Sequence, residues 1–487
     1  MNKRYLAVDL GASGGRCIAG AFDGNRLALQ EIHRFPNGPT EIRGTFHWNF
    51  LGLYREIRHG MAQAKRDFGP SLASMGVDTW GVDFGLLDAN GFLLGEPVHY
   101  RDRRTDAMPE KVFAAVGRET VFEQTGIQVM PLNTLYQLYA LAQAGDVAYR
   151  HAQCLLFSPD LLNYWLTGIQ AAERTIAGTS QCYNPIARDW AYPLLEGLGI
   201  RTDLFAPFAD PCTVLGPTDD GLPVVATGSH DTASAFAAVP MRPCESCAIL
   251  SSGTWSLLGI ERDAPIVHAD ALLANVTNEI GLADTIRFLK NLSGLWILQE
   301  LRREEAEQGR DRDWPALCAL AEEAPPFALF LDPADPVFVP AGPMACRIRD
   351  LAQRSGQKPP QDIGAMVRAV LEGLAFLYAE TLETLERLTG APRDTVRIVG
   401  GGCRNDTLNQ WTANATGRRV VAGPAEATAI GNLLSQMIAL GDVASLTEAR
   451  TVVRRSFADE ADTREPCDRE QWLAMRATWR EKTSVRQ

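Results

Sequence analysis

No run of eighteen apolar residues occurs anywhere in the 487-residue chain, so nothing in it reads as a membrane-spanning helix. The opening residues MNKRYLAVDL reach Asp9 long before a signal-peptide core could form, and the expected setting is therefore cytoplasmic. Positive charge is short: 47 Lys and Arg stand against 59 Asp and Glu, a net charge of −12, which excludes a nucleic-acid surface built from clustered cations. Ten cysteines are scattered along the chain, a pattern of reduced thiols rather than a disulfide framework. Cys244 and Cys247 make one CxxC, but no second pair and no histidines follow at zinc spacing. Three nucleotide signatures are also missing. There is no GxxxxGK[ST], no GxGxxG opening a helix, and no HRD or DFG, which excludes P-loop, Rossmann and protein-kinase sites.

Three glycine-rich loops, each at the end of an apolar strand, are present. Residues 5–16 read YLAVDLGASGGR, a strand ending in Asp9 and then Gly11, Ala12, Ser13, Gly14 and Gly15. Glycine allows positive φ and lets backbone N–H groups approach an anion, Ser13 adds a hydroxyl, and Asp9 could hold the Mg²⁺ of a nucleotide triphosphate. A ligand-free hairpin turn would show similar residues. The motif returns, however, as CAILSSGTWSLL at 247–258 and VRIVGGGCRN at 396–405. Two such phosphate loops, one opening each half, predict two related domains facing a nucleotide, with the third loop giving a base or ribose flat backbone to lie on. Among ATP users lacking the three absent motifs, the actin-like (ribonuclease H-like) α/β architecture remains.

The rest of the chain suits that reading. A length of 487 residues exceeds what one core usually supports. Strands are expected at 4–9, 16–22 and 27–33, a helix at 50–68, strands at 75–78 and within 84–94, and mostly helix over 107–167. Apolar residues at 367, 370, 371, 374, 377 and 378 pattern a helix over 364–388, and a further helix runs from Glu426 to Leu440, ended by Gly441. Pro240 to Pro243 reads as a crossover. The expected domains are 1–243, binding sugar, and 244–450, binding nucleotide, with 451–487 a tail or surface helix.

The catalytic candidate lies in LPVVATGSHDT at 222–232, a buried strand running into His230, Asp231 and Thr232. Phosphoryl transfer to a hydroxyl needs an oriented acceptor, a base and charge compensation, and a carboxylate at a strand end suits the base. The alternative is that Asp231 caps a helix over 232–239, and both roles are compatible.

Taken together, VDLGASGGR (8–16), FPNG (35–38), DTWGVDF (78–84), YRDRRT (100–105), NTLYQLYAL (133–141), SHDTASA (229–235), LSSGTWSLLG (250–259), IVGGGCRN (398–405) and AGPAEATAIGN (422–432) resemble the FGGY-type carbohydrate kinases over nearly the whole chain. DTWGVDF, YRDRRT, FPNG and NTLYQLYAL point within that family to the branch acting on L-rhamnulose. Gly14 stands where serine is usual. The resemblance implies ATP and Mg²⁺ with a small-molecule sugar as partners, no nucleic acid or membrane, and a cleft between the domains whose closure expels water. It places Ala12, Ser13, Gly14, Gly15, Arg16 and Thr254 on the ATP phosphates, Gln299 with Gly401 or Gly402 in the nucleoside pocket, and Asp9 near Mg²⁺. It places Gly81, His230, Asp231, Thr232 and Asn291 on the sugar, with Asp231 the proton acceptor and Gly81 leaving room for a six-carbon ketose. Gln299 and Asn291 stand in a Leu/Trp-rich stretch of helical pattern, where a polar residue can equally be surface. Three other readings stay open: a kinase for another ketose or polyol such as L-fuculose, an actin-like ATPase working on protein partners, and a non-catalytic sugar-binding regulator.

Overall fold

A computed structural model describes residues 3–483. The chain forms two compact units, the first comprising Met1–Pro243, Glu261–Phe288 and Ala427–Ala458, the second Cys244–Ile260, Leu289–Glu426 and Asp459–Gln487. Each unit is thus assembled from three pieces of chain, whereas the sequence expectation drew contiguous domains with boundaries at 243/244 and 450/451. Of the expected terminal segment 451–487, residues 484–487 lie outside the described residues.

The first unit is organised by a six-stranded mixed sheet, ordered Thr213–Pro217, Pro223–Ala226, Leu72–Thr79, Lys3–Gly11, Gly14–Phe22, Leu27–Pro36. The last three form the meander anticipated from the sequence, antiparallel throughout. The middle three run parallel. Tyr5, Leu6, Ala7 and Val8 are all buried, as a strand covered on both faces requires. The helix Phe50–Phe68 forms because Leu53, Ile57, Met61 and Ala64 recur on one face, while Asn49 accepts the Gly52 N–H at its start. Gly69, at φ 51°, ends it.

The helix Ala427–Ala439 starts and stops where its pattern predicts, but it serves the first unit. Gly431 explains the fit: a Cβ there would lie 1.8 Å from the Ser234 carbonyl oxygen, so only glycine lets this helix cross Asp231–Ala237 so closely. From the same helix Gln436 donates to the Leu6 carbonyl and Asn432 donates to Asp78 Oδ2 at 2.6 Å. These polar side chains satisfy groups of the sheet that packing has cut off from water.

The second unit contains the strand order Trp255–Arg262, Cys247–Ser252, Thr395–Val399, Arg419–Ala422, Asp462–Arg464. Cys247–Ser252, Thr395–Val399 and Arg419–Ala422 are parallel. The helix Ile363–Thr389 begins with Asp362 accepting the Ala365 N–H and ends at left-handed Gly390. The segment left open as tail or helix forms the helix Arg469–Thr483, which buries Trp472 and Trp479 against Phe376. Among the described residues no helix is long and apolar enough to cross a membrane.

Candidate functional site

Parallel strands present their carboxyl ends on one edge of a sheet, where open α/β folds place ligands. In the first unit that edge carries three carboxylates. Asp9 and Asp78 are register partners on Lys3–Gly11 and Leu72–Thr79, and Asp231 opens the helix that follows Pro223–Ala226. A parallel bridge between Thr79 and His230 brings the last two segments together. Burial, with the negative charges of Asp9 and Asp231 added, pushes the Asp78 carboxyl well up. Burial also lifts Asp231 to about 7, with Asp9 contributing. Three carboxylates in one field do not all ionise freely without a cation. Asp78, within DTWGVDF, is a residue for which the sequence alone suggests no role. Its signal was present, because it ends its strand as Asp9 ends the neighbouring one.

Asp231 is not the helix cap. His230 occupies the cap position, no side chain makes a cap hydrogen bond, and Asp231 sits in the first turn. Its Oδ1 accepts from Thr232 Oγ1 at 2.9 Å, and His230 Nε2 lies 3.2 Å from the same oxygen. The Asp231 side chain keeps 33% of its surface exposed while that of His230 keeps 9%, which leaves the carboxylate accessible and the imidazole enclosed. His230 is depressed well below its ordinary range by burial and by Arg287. The loop itself is held from beneath. Glu173 accepts from Thr175 and Ile176, and Thr175 Oγ1 accepts the His230 N–H at 3.2 Å.

The first glycine-rich hairpin closes through a two-residue turn, Ala12–Ser13, with Gly11 opposite Gly14. Its glycines work through size, since Gly11, Gly14 and Gly15 are not among the residues at positive φ. A Cβ on Gly15 would lie 2.3 Å from the Phe35 ring, whereas one on Gly11 would make only an ordinary 3.4 Å contact. Arg16, expected on phosphate, pairs with Asp9 at 2.6 Å. The expected Mg²⁺ residue and an expected phosphate residue are thus each other's partners here. Asn37 steadies the hairpin from FPNG by donating to the Gly11 carbonyl.

On the side of Gly81 where a side chain would stand lies Thr179, whose Oγ1 would lie 3.0 Å from a Cβ there. Thr179 Oγ1 accepts the Val82 N–H. Val82 is buried at φ 70°, a conformation that costs a β-branched residue energy, and its carbonyl accepts from Thr134 Oγ1 at 2.6 Å.

In the second unit Gly253 and Thr254 form the turn between Cys247–Ser252 and Trp255–Arg262. Thr254 Oγ1 and the Gln299 amide are hydrogen-bond partners at 3.2 Å, which unites two expected nucleotide residues. In the third loop Gly400 needs its freedom at φ 84°. Gly402 packs so closely that a Cβ would lie 2.1 Å from Ser252 Oγ, while Gly401 faces open space. Asn291 lies on the strand Ile286–Ser293, correcting the helical pattern, while Gln299 lies on the helix Trp296–Glu307 as expected. Strand pairing, which a local pattern does not report, decided between the two.

Sequence reasoning also missed Arg287 and Glu279, both buried in the first unit. Arg287 lies 3.0 Å from Glu279 and donates to His230 Nδ1 at 3.1 Å. Charged residues inside the apolar stretches TNEIG and TIRFL were the available signal.

Residues 4–235 match the family model described as FGGY family of carbohydrate kinases, N-terminal domain, and residues 248–440 match its C-terminal domain. A rhamnulokinase of Bacteroides thetaiotaomicron is 41% identical over 483 residues, covering 97% of this chain and 98% of that protein. Rhamnulokinases of Enterococcus faecalis and Bacillus subtilis are 40% and 38% identical, each over 96% of this chain and over 95% and 96% of theirs. Among solved structures, a ligand-bound xylulose kinase from Lactobacillus acidophilus superposes with TM-score 0.80 at 16% identity, over 98% of this chain and 97% of that one. Plasmodium falciparum glycerol kinase with ADP gives 0.78 at 15%, over 100% and 99%. The structural likeness confirms the two-domain fold, the sequence likeness runs nearly end to end, and the chain belongs to the FGGY family of carbohydrate kinases.

Proposed function

We propose that the protein transfers the γ-phosphoryl group of ATP to the 1-hydroxyl of L-rhamnulose, giving L-rhamnulose 1-phosphate and ADP in L-rhamnose degradation. The sugar is supported by the near-full-length identity to the rhamnulokinases named above. The chemistry is carried by one observation: a partly exposed carboxylate, Asp231, whose Oδ1 accepts from Thr232 Oγ1 with His230 Nε2 3.2 Å away, and whose pKa is raised to about 7. A base with that pKa is substantially ionised near neutral pH and still binds a proton well. In this reading Oδ2 accepts the hydroxyl proton as the sugar oxygen bonds to the γ-phosphorus. The bond from that phosphorus to the β–γ bridging oxygen breaks, and ADP leaves.

Ala12, Ser13, Gly14, Gly15 and Arg16 serve the phosphates from the first unit, and Thr254 from the second. Gln299, Gly401 and Gly402 serve the nucleoside. Gly81, His230, Thr232 and Asn291 serve the sugar. Among the described residues no three His, Cys, Asp or Glu side chains gather as a metal cage. The donor chemistry nonetheless suits Mg²⁺, which usually keeps several waters and takes one or two carboxylates plus phosphate oxygens. Buried Asp78 Oδ1 makes no hydrogen bond, and Asp9 stands beside it in register. Asp9 is the residue that would hold the ion through water, and the ion when bound would offset charge on the phosphates.

A coupled ADP-release assay over a panel of ketoses and polyols tests the assignment. L-rhamnulose is expected to exceed glycerol and D-xylulose by at least about 10²-fold in kcat/KM, because a site that pairs hydroxyls rejects wrongly configured analogues. A preference for L-fuculose would move the protein to another branch of the family. ATP turnover indifferent to every sugar would favour action on a protein partner.

A further inference from the structure

Resting on the reading of Asp231 as the base, we infer that Arg287 is a positioning residue that selects the tautomer of His230 and thereby aims the Asp231 carboxylate. The geometry sets two groups in competition for His230 Nδ1. The Arg287 guanidinium donates to it at 3.1 Å, and Glu279 Oε2 lies 3.5 Å away as a potential acceptor. Arginine has donors only, so Nδ1 must offer its lone pair, and the ring proton of a neutral imidazole is then on Nε2. That proton points at Asp231 Oδ1, 3.2 Å away. Oδ1 is therefore held by Nε2–H and by Thr232 Oγ1–H, and Oδ2 is turned to the substrate hydroxyl.

Glu279 completes the device. Its Oε2 lies 3.0 Å from the second Arg287 amino group, an ion pair without a hydrogen bond that draws the carboxylate's charge toward the guanidinium. Arg287 Nε donates to the Ile280 carbonyl at 3.1 Å, so the guanidinium has little freedom to leave this position. Arg287 is wholly buried. Without the guanidinium, Nδ1–H would turn to Glu279. The bare Nε2 lone pair would then face a carboxylate oxygen, and repulsion would rotate Asp231 away from its working orientation.

The test combines nitrogen-15 spectra of histidine-labelled full-length protein with steady-state kinetics. Spectra of His230→Gln assign the His230 ring among the seven histidines. The wild type is expected to show neutral His230 protonated at Nε2. Arg287→Met should move the proton to Nδ1 and lower kcat by about 10–100-fold, with the KM for ATP changed less than about threefold. Adding Glu279→Gln to Arg287→Met removes the unpaired buried charge, and its amide N–H can donate to Nδ1. That double variant should restore the Nε2–H tautomer and recover about tenfold in kcat. A wild-type His230 protonated at Nδ1, or at both nitrogens, would overturn the inference. So would an Arg287→Met enzyme that loses kcat while keeping Nε2–H. If Arg287→Met does not fold, the wild-type spectrum and the double variant still decide. Near wild-type turnover of Asp231→Asn would instead remove the base assignment and leave the tautomer result intact.

Discussion

Replacing Asp231 by asparagine separates the chemical role of the carboxylate from its structural one. The amide oxygen can take the place of Oδ1, where His230 Nε2 lies at 3.2 Å and Thr232 Oγ1 at 2.9 Å. The NH₂ then stands where Oδ2 was, and offers a donor to a hydroxyl that needs an acceptor. Turnover should fall by about 10²–10⁴, the range for loss of a general base, while sugar and ATP binding stay within several-fold. Stability should move the other way. Folding lifts this carboxyl from 3.8 to about 7, chiefly by burial, so it favours the folded state most when protonated, below about pH 4. That advantage is lost as pH rises through 7, and above it the folded state bears the cost of a buried charge. The shift corresponds to about 4 kcal/mol at the limit, and solvent reaching the exposed third of the side chain reduces it to about 1–2 kcal/mol. Asp231→Asn should therefore melt above wild type at pH 8 and close to it at pH 4, while turning over far more slowly in the coupled assay. Near wild-type kcat would sink the base assignment, and no gain in Tm at pH 8 would sink the burial argument.

Gly11→Val should fold, since a Cβ there meets only an ordinary contact, yet lose ATP affinity by calorimetry; unchanged affinity would mean the first loop is misassigned. Thr254→Val removes the hydrogen bond to Gln299 and, on the proposed assignment, one phosphate donor, and should lower kcat by about 10-fold with the melting curve preserved. Gly81→Arg must displace Thr179 and should abolish activity on L-rhamnulose while ATP still binds; an indifferent variant would refute the placement of the sugar. Trp479→Ala strips a buried indole that donates to the Leu331 carbonyl at 2.7 Å and should cost about 3–5 kcal/mol in denaturant unfolding, without a primary effect on sugar KM.

Loops that end strands are local objects, and the chain declares them locally. Asp9 with Gly11 to Gly15, Ser252 to Thr254 and Gly400 to Gly402 were legible because strand, turn and small residues are contiguous. The same holds for the helices at 50–68 and 363–389, whose periodicity and caps lie within their own segments. Their agreement with a known family then carried activity and fold together.

What tertiary structure decided was non-local. Asp78 becomes Asp9's neighbour only through parallel register, and Asn432 reaches it across more than three hundred residues of chain. Gly81 reads as space, but only the fold shows that Thr179 lies where its side chain would stand. Asn291 shares a Leu- and Trp-rich stretch with a helix, yet pairing makes it part of a strand. Arg287 and Glu279 look like misplaced charges in apolar sequence until folding closes them around His230. Periodicity reports which residues are buried. It does not report which buried residues meet, because burial depends on one segment's pattern and a meeting depends on how separate segments are threaded past each other.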